Sequence, residues 1–256
     1  MIQTYCDYNF GDNLIQLHYL RKLAANYPDK KFVHAAKAAL LPQLRDAVQD
    51  VPAISLIDLS QKQTESINVW KNRHGDFFNH RKRYDWSGFY IEFFHKLSRE
   101  LDVENPLTKR TDFLFDYPSI AAKKFPEIDF LIINSTPFSG QFVNFWAEQF
   151  DWLIGKLKEK GHSVVTTAPC SHPVPCTQGH SPPMTISDIG SLSLRCKYIF
   201  GVATGPIWPT FNVWNVETVK LRVLMLDGER IDIAPNTFHA ERIGDGIKVL
   251  KDHGVM

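Results

Sequence analysis

The fold is decided by residues 2–28, which read IQTYCDYNFGDNLIQLHYLRKLAANYP. The apolar run Ile2–Cys6 is typical of a strand, and the turn Asn9–Asp12 follows it. Leucine then recurs every three residues from Leu14 to Leu23, the spacing of one face of an α-helix, and Pro28 ends that helix. The stretch therefore predicts strand, turn and helix, the first unit of an α/β fold.

The same alternation continues along the chain. In the first half we predict strands at Phe32–Ala35 and Ile54–Leu59 and helices at Leu40–Val48 and Phe89–Leu101. In the second half we predict strands at Phe130–Ile133, Ser163–Thr167, Tyr198–Val202 and Val223–Leu226, and helices at Phe145–Lys160, from a cap at Ser187 to Cys196, after Thr204, and at Ala240–His253. The bend-rich stretch 117–126 suggests a boundary. The sequence therefore predicts an α/β protein with largely parallel sheets in two parts, residues 1–117 and 118–256.

Composition excludes several classes of protein. Of the 256 residues, 44% are hydrophobic and 22% are charged, as in a folded globular chain rather than a disordered one, a collagen or a coiled coil. Lysine and arginine number 29 and acidic residues 28, a net charge of +1, so no overall positive field favours nucleic acid. Four cysteines are too few for a disulfide scaffold in a chain of this length. Since we find neither a signal-peptide pattern nor an apolar run of about 18 residues, we expect a cytoplasmic protein with no membrane span.

The first candidate site is the pair Gly11–Asp12, in the turn between the first strand and the first helix. Open α/β sheets bind ligands outside the carboxyl ends of their strands, so a carboxylate here is placed to act on a substrate. The alternative is that Asp12 only accepts a free backbone N–H at the start of the helix.

The second candidate site is Thr204–Gly205–Pro206, predicted to lead from a strand into a helix. Backbone N–H groups at that helix N-terminus, together with the Thr204 hydroxyl, are suited to a phosphate, and Gly205 would let the phosphate approach. The alternative is a plain strand-to-helix turn with proline at the first helical position.

These blocks resemble the heptosyltransferase-like glycosyltransferases of the GT-B fold, family 9-like. The segment 11–28 resembles the family's opening helix, in which Gly-Asp leads into an apolar helix that ends near an aromatic residue and proline. The segment 187–212 resembles a pattern of the family's second domain, a serine-rich helix and an Ile-Gly-Val strand that lead to Thr-Gly-Pro. With the strand Phe130–Ile133, the resemblance covers about half of the chain in three patches.

The resemblance implies that the two parts are Rossmann-like domains whose parallel sheets face a cleft. It also implies an inverting transfer of a sugar from a nucleotide-sugar to a glycan or other acceptor hydroxyl, with no cofactor. Asp12 is then the general base, and Gly11 and Asn13 lie on the acceptor side. The donor diphosphate is implied to contact Thr204, Gly205 and Pro206. We also expect Ser135 and Ser139, in the loop after Phe130–Ile133, to bind the donor.

Two departures from the family pattern favour a different function. Ala203 stands where the family has an acidic residue, and the loop Ser135–Gln141 has no lysine. A protein that keeps the fold and binds ligands without turnover is therefore the main alternative. A nucleotide-sugar epimerase is a further one, although it needs more acidic and histidine groups near the cleft.

The segment 70–86 combines basic and aromatic residues. A solvated face is the plain interpretation of such a segment, and nucleic acid is disfavoured by the neutral overall charge. If the acceptor is an anionic glycan or a lipid-linked sugar phosphate, peripheral membrane contact becomes possible, and Arg73, Arg81 and Arg83 would bind it as forked donors.

Cys170, His172, Cys176 and His180 lie within eleven residues and include the ligand types that zinc prefers. Their spacing matches no common zinc motif, so we predict no metal site there.

Overall fold

The computed structural model describes residues 1–70, 84–137, 142, 144–227 and 229–256, with only the backbone of 84–87 and 229. The described part of the first half forms a parallel sheet from β1 (Ile2–Cys6), β2 (Phe32–Ala36), β3 (Ile54–Asp58) and β4 (Ile67–Asn68), in the order β3-β2-β1-β4. Its helices are α1 (Phe10–Asn26), α2 (Leu41–Asp46) and α3 (Trp86–Glu100). Because β2 and β4 flank β1 on opposite sides, the winding of the sheet reverses at β1.

The second half carries a five-stranded parallel sheet. It is built from β6 (Ile128–Ile133), β7 (Val164–Thr166), β8 (Cys196–Val202), β9 (Leu221–Met225) and β11 (Thr237–Ala240), in the order β11-β9-β8-β6-β7. Its helices are α4 (Pro118–Ala122), α5 (Ala147–Glu159), α6 (Ile186–Ser193) and α7 (Ile243–Asp252). The predicted class, α/β with parallel sheets, is confirmed.

Among the described residues, two β-pairings cross the predicted boundary at residue 117. The short strand β5 (Tyr84–Asp85) pairs with β10 (Glu229–Arg230), and Phe115 forms a bridge with Asn212. The boundary itself stays a prediction. None of the helices in the described residues is both long enough and apolar enough to cross a membrane.

Several local predictions were wrong in an informative way. Thr185, and not Ser187, caps α6, since its Oγ1 accepts from the Asp188 N–H at 3.2 Å. The predicted helix after Thr204 is a 3-10 turn, Gly205–Thr210, because it contains two prolines. The short strands β4 and β11 were not predicted, since each is only two to four residues long.

Helix α1 is buried on all sides rather than along one stripe. Every residue from Asn13 to Leu20 is buried, because the helix lies between the first sheet and the turn Gly205–Thr210 of the second half. One hydrophobic core accordingly joins Leu14 and Leu17 of α1 to Ile133 of β6 and Ile207 of that turn. The two halves therefore pack directly against each other at the start of α1.

Candidate active site

A cavity of about 260 Å³ lies where the two halves meet, at the carboxyl ends of β1, β6 and β8. In the second sheet, β7 and β8 flank β6, so the winding reverses at β6 just as it reverses at β1 in the first. Loops at such reversal points are where open α/β sheets bind ligands. The cavity therefore brings together the loops that follow both reversal points.

Asp12 lines this cavity from the first turn of α1. Its Oδ2 accepts a hydrogen bond from the Asn9 N–H at 3.1 Å, and we find no side-chain partner for the carboxylate among the described residues. Burial raises the pKa of Asp12 from 3.8 to about 6, although the Asn9 N–H and the charge of Lys37 act in the opposite direction. Asp12 therefore does stabilise the start of α1 through one carboxylate oxygen. The same residue also lines the cavity.

Asn13 was predicted to contact the acceptor, and the structure places it elsewhere. The side chain is fully buried and is not part of the cavity wall. Its Nδ2 donates to the Asn9 carbonyl at 2.9 Å, and its Oδ1 lies 3.0 Å from His34 Nε2. With its amide bonded on both sides, Asn13 cannot reach a ligand. Gly11, by contrast, does line the cavity.

Thr204, Gly205 and Pro206 line the cavity from the second half. The reason given for Gly205 was wrong, since a Cβ at this position would overlap the ring of Phe10 rather than fill an open approach for phosphate. This segment also offers fewer free backbone N–H groups than the N-terminus of an α-helix would. In the 3-10 turn Pro206 has no N–H, and the Ile207 N–H donates to the Thr204 carbonyl at 2.9 Å. Among Gly205, Pro206 and Ile207, only Gly205 has a backbone N–H that is free for a ligand.

The remaining polar wall is rich in hydroxyl and amide groups that the sequence analysis missed in part. Ser135 was predicted, and its Oγ lies 2.9 Å from Thr167 Oγ1. The residues not predicted are Gln43, Thr136, Thr167, Thr177 and Gln178. Thr136 and Thr167 follow β6 and β7, so their position at the carboxyl ends of strands was a usable signal. Gln43 has no such signal, because only tertiary packing brings α2 to the cavity.

Apolar side chains also line the cavity. Tyr90 of α3 and Trp208 of the 3-10 turn lie edge to face, with ring centroids 5.9 Å apart. Met184, Ile186 and Ile189 are further apolar residues of the lining. A cavity lined by apolar side chains together with a few polar groups is the usual form of a small-molecule site.

Charge in the cavity is sparse. Of the described residues that line it, Asp12 alone has an acidic or basic side chain. Ser139, Arg73, Arg81 and Arg83 lie outside the described residues, so their predicted roles stay predictions.

His172 and Cys176, two of the four candidate zinc ligands, contact backbone carbonyl groups. His172 Nε2 donates to the Asp151 carbonyl at 2.9 Å, and Cys176 Sγ lies 3.7 Å from the Thr167 carbonyl. Within the described ranges, no three histidine, cysteine or acidic groups converge as metal ligands would.

Comparison with known proteins gives likeness in fold. No protein-family model matches the sequence, and no curated protein matches it. Among solved structures, the chain is similar to E. coli heptosyltransferase WaaC with ADP-2-deoxy-2-fluoro heptose, at a TM-score of 0.57 and 12% identity over 99% of this chain and 100% of that one. It is also similar to the glycosyl transferase family 9 protein of Veillonella parvula DSM 2008, at a TM-score of 0.54 and 11% identity over 99% and 89% of the two chains. The chain therefore has the heptosyltransferase-like GT-B fold that the sequence resemblance implied.

Proposed function

We propose that this protein is a glycosyltransferase that moves a sugar from a nucleotide-sugar to a hydroxyl of a glycan or other acceptor, with inversion. One observation carries the proposal. The Asp12 carboxylate of the first half and the Thr204 and Ser135 hydroxyls of the second half line the same cavity. A base and a set of neutral donors in one cavity are what such a transfer needs.

In this reaction Asp12 takes the proton of the acceptor hydroxyl as its oxygen attacks the anomeric carbon. The bond from that carbon to the donor phosphate breaks, and the nucleoside diphosphate leaves with the electron pair. A pKa of about 6 suits the role, because the carboxylate is mostly ionised at pH 7 yet basic enough to accept a proton.

The leaving diphosphate would be stabilised by neutral donors. Thr204, Ser135 and Gly205 all line the cavity, which supports this role. Hydrogen bonds to a charged oxygen are stronger than those between neutral groups. Tyr90 and Trp208 offer ring faces and edges to a base or a sugar. We retain Arg73, Arg81 and Arg83 as proposed contacts of an anionic acceptor.

The second candidate is a binding protein without turnover. Ala203 lines the cavity where the family places an acidic residue, and the described wall has no lysine or arginine. The lack of a cation in the described wall would weaken the hold on a diphosphate, and the missing acidic residue removes a group that a transferase of this family carries.

Thermal unfolding with ligands tests the proposal. ADP, UDP, GDP and CMP and an ADP-sugar would be added in turn, since a ligand at 100 times its Kd stabilises by about 2.7 kcal/mol. We expect at least one nucleoside diphosphate to raise Tm, and Thr204→Val to reduce that shift. Thr218→Val is the matched control, because Thr218 is exposed and is not part of the cavity wall.

The outcomes separate the two candidates. A protein that no nucleotide stabilises has neither function. A protein that binds a nucleotide-sugar, but releases no nucleoside diphosphate when offered a panel of acceptors, supports the binding protein instead.

A further inference from the structure

We propose that His34 is a positioning residue for Asp12, and that it acts through Asn13 and Asn9. The inference rests on the proposed function of Asp12 as the base. His34 lies in the middle of β2 and does not touch the cavity, so neither the sequence pattern nor the family resemblance pointed to it.

His34 belongs to a buried chain of hydrogen bonds. Its Nδ1 lies 2.9 Å from Thr4 Oγ1 on the neighbouring strand β1, and its Nε2 lies 3.0 Å from Asn13 Oδ1 on α1. All three side chains are fully buried. The ring therefore joins both central strands of the first sheet to the helix that carries Asp12.

The partners decide which ring nitrogen holds the proton. Asn13 Nδ2 donates to the Asn9 carbonyl at 2.9 Å, so the atom that faces His34 is the amide oxygen, an acceptor. His34 must then donate from Nε2, which leaves Nδ1 to accept from the Thr4 hydroxyl. Burial lowers the pKa of His34 to about 3, so the ring is neutral in this single tautomer throughout the working pH range.

The chain reaches Asp12 through Asn9. The Asn9 carbonyl is held by Asn13, and the Asn9 N–H donates to Asp12 Oδ2 at 3.1 Å. That N–H is one of the groups that lower the pKa of Asp12. Loss of the His34 contact would free Asn13 to rotate, loosen Asn9 and weaken the hydrogen bond to the carboxylate.

The sign of the effect follows from the groups around Asp12. Lys37, just after β2, also lowers the pKa of Asp12, while burial raises it. At the end of β1, Cys6 is a buried thiol that stays neutral, since burial, Asp12 and Asp7 all raise its pKa. With the Asn9 hydrogen bond weakened, the opposing effect of Lys37 remains and burial dominates further, so the pKa of Asp12 rises.

The test uses His34→Leu, which removes the donor, and His34→Gln, whose amide can still donate to Asn13. Thr4→Val is a milder third variant that keeps the shape of the core and releases the ring tautomer. The matched control is His18→Leu. His18 is equally buried, lies on the same helix as Asp12, and bonds the Asp112 carbonyl instead, at 2.7 Å.

Two readouts are measured in each variant. The first is the pKa of Asp12, from the titration of its ¹³C-labelled carboxyl group by NMR, and the second is the pH profile of kcat/KM for transfer. We expect His34→Leu to move the pKa and the acid limb of the profile to higher pH and to lower kcat about tenfold or more, since a small displacement of a catalytic group is costly. Donor KM should change little, and His34→Gln should restore most of both readouts.

The outcomes keep the two proposals apart. If His34→Leu leaves the pKa of Asp12 where it is in the parent, or moves it no further than His18→Leu does, His34 is only a core residue and the inference fails. If the pKa moves as expected but no variant, nor the parent, transfers a sugar, the positioning stands and the proposed function fails.

Discussion

Each half of the molecule buries a polar network, and the two networks do different things. In the second half Arg222 Nη2 donates to Asn215 Oδ1 at 3.0 Å, and Asn215 Nδ2 donates to Ser193 Oγ at 2.7 Å and to the Thr210 carbonyl at 3.0 Å. None of these four residues lines the cavity, and the network ends on the back of the 3-10 turn.

The network of the first half, Thr4, His34 and Asn13, ends instead on the loop that holds Asp12. The role of a buried polar group therefore depends on which residues its hydrogen bonds connect it to. In our proposal the first network adjusts the Asp12 carboxylate, while the second network only fixes the end of the 3-10 turn.

The largest effect is expected at the end of the first network. Asp12→Asn should lower turnover by about 10²- to 10⁴-fold, the usual contribution of a general base. The amide oxygen can still accept from the Asn9 N–H, and the buried charge is removed, so at pH 7 the free energy of unfolding should be unchanged or higher. Steady-state kinetics and chemical denaturation measure the two effects. Asp7→Asn, at an exposed neighbour outside the cavity wall, is the control, and turnover in Asp12→Asn within threefold of the parent would make Asp12 structural.

Breaking the second network should cost stability and leave the chemistry of Asp12 alone. Asn215→Ala removes the acceptor of a buried guanidinium and the partners of Ser193 and Thr210, so we expect unfolding to become easier by about 2–4 kcal/mol. Urea denaturation measures this loss, and the pKa of Asp12 should not move. A shift of that pKa as large as in His34→Leu would show that the two networks are not separate.

A substitution at Gly205 tests how closely the two halves pack against each other. In Gly205→Ala the new methyl group would overlap the ring of Phe10, and the forced displacement should destabilise the protein by about 1–3 kcal/mol. Gly244→Ala, in α7, is the control, because nothing lies within 4 Å of the added Cβ. The better helix propensity of alanine should make the control neutral or slightly stabilising. If both variants melt alike in calorimetry, the halves do not press together at this point.

The pH dependence of stability sharpens the comparison, because the groups concerned belong to the first half. Burial lowers the pKa of His34 to about 3 and of His18 to about 4, from 6.5, so the unfolded chain binds these protons more tightly. Their contribution is present above pH 6.5 and is lost as pH falls toward 4.

Asp12 acts with the opposite sign. Its folded pKa of about 6 lies above 3.8, so its contribution is present at low pH and is lost as pH rises through 6. Denaturation between pH 4 and 7 should therefore show a steeper rise of stability with pH in Asp12→Asn than in the parent, and a shallower rise in His34→Leu. Equal slopes in all three proteins would contradict the placement of these groups.

The smallest effect is expected at the surface of the second sheet. Lys197 Nζ lies 2.7 Å from Asp129 Oδ1, and this contact, with the Ser163 N–H, lowers the pKa of Asp129 to about 2. The Lys197 side chain is exposed to solvent, so Lys197→Ala should lower the free energy of unfolding only slightly, and added salt should remove most of the difference. If the free energy of unfolding falls as far as in Asn215→Ala, this ion pair stabilises the fold as much as a buried network does.

From the sequence alone, the longer helices and strands and the sheet class could be predicted, because local periodicity and turn residues report directly on hydrogen-bonded secondary structure. Ile2–Cys6 is a strand with the predicted bounds, and the placement of Gly11, Asp12, Ser135 and Thr204 at the ends of strands followed from the same alternation. The resemblance to heptosyltransferase-like proteins came from the same turns, and the fold it implied is the one observed.

Only the tertiary structure decided what each of these residues touches. Asn13 beside Asp12 looked equally available, yet its side chain points into the core toward His34, because this face of α1 packs on the first sheet. Gly205 has no side chain, and this leaves room for the ring of Phe10 from the other half. Gln43 and Tyr90 line the cavity although their helices are distant in sequence from the loops that form most of it. Contacts between residues distant in the chain leave no period in the sequence, since they depend on how whole elements pack.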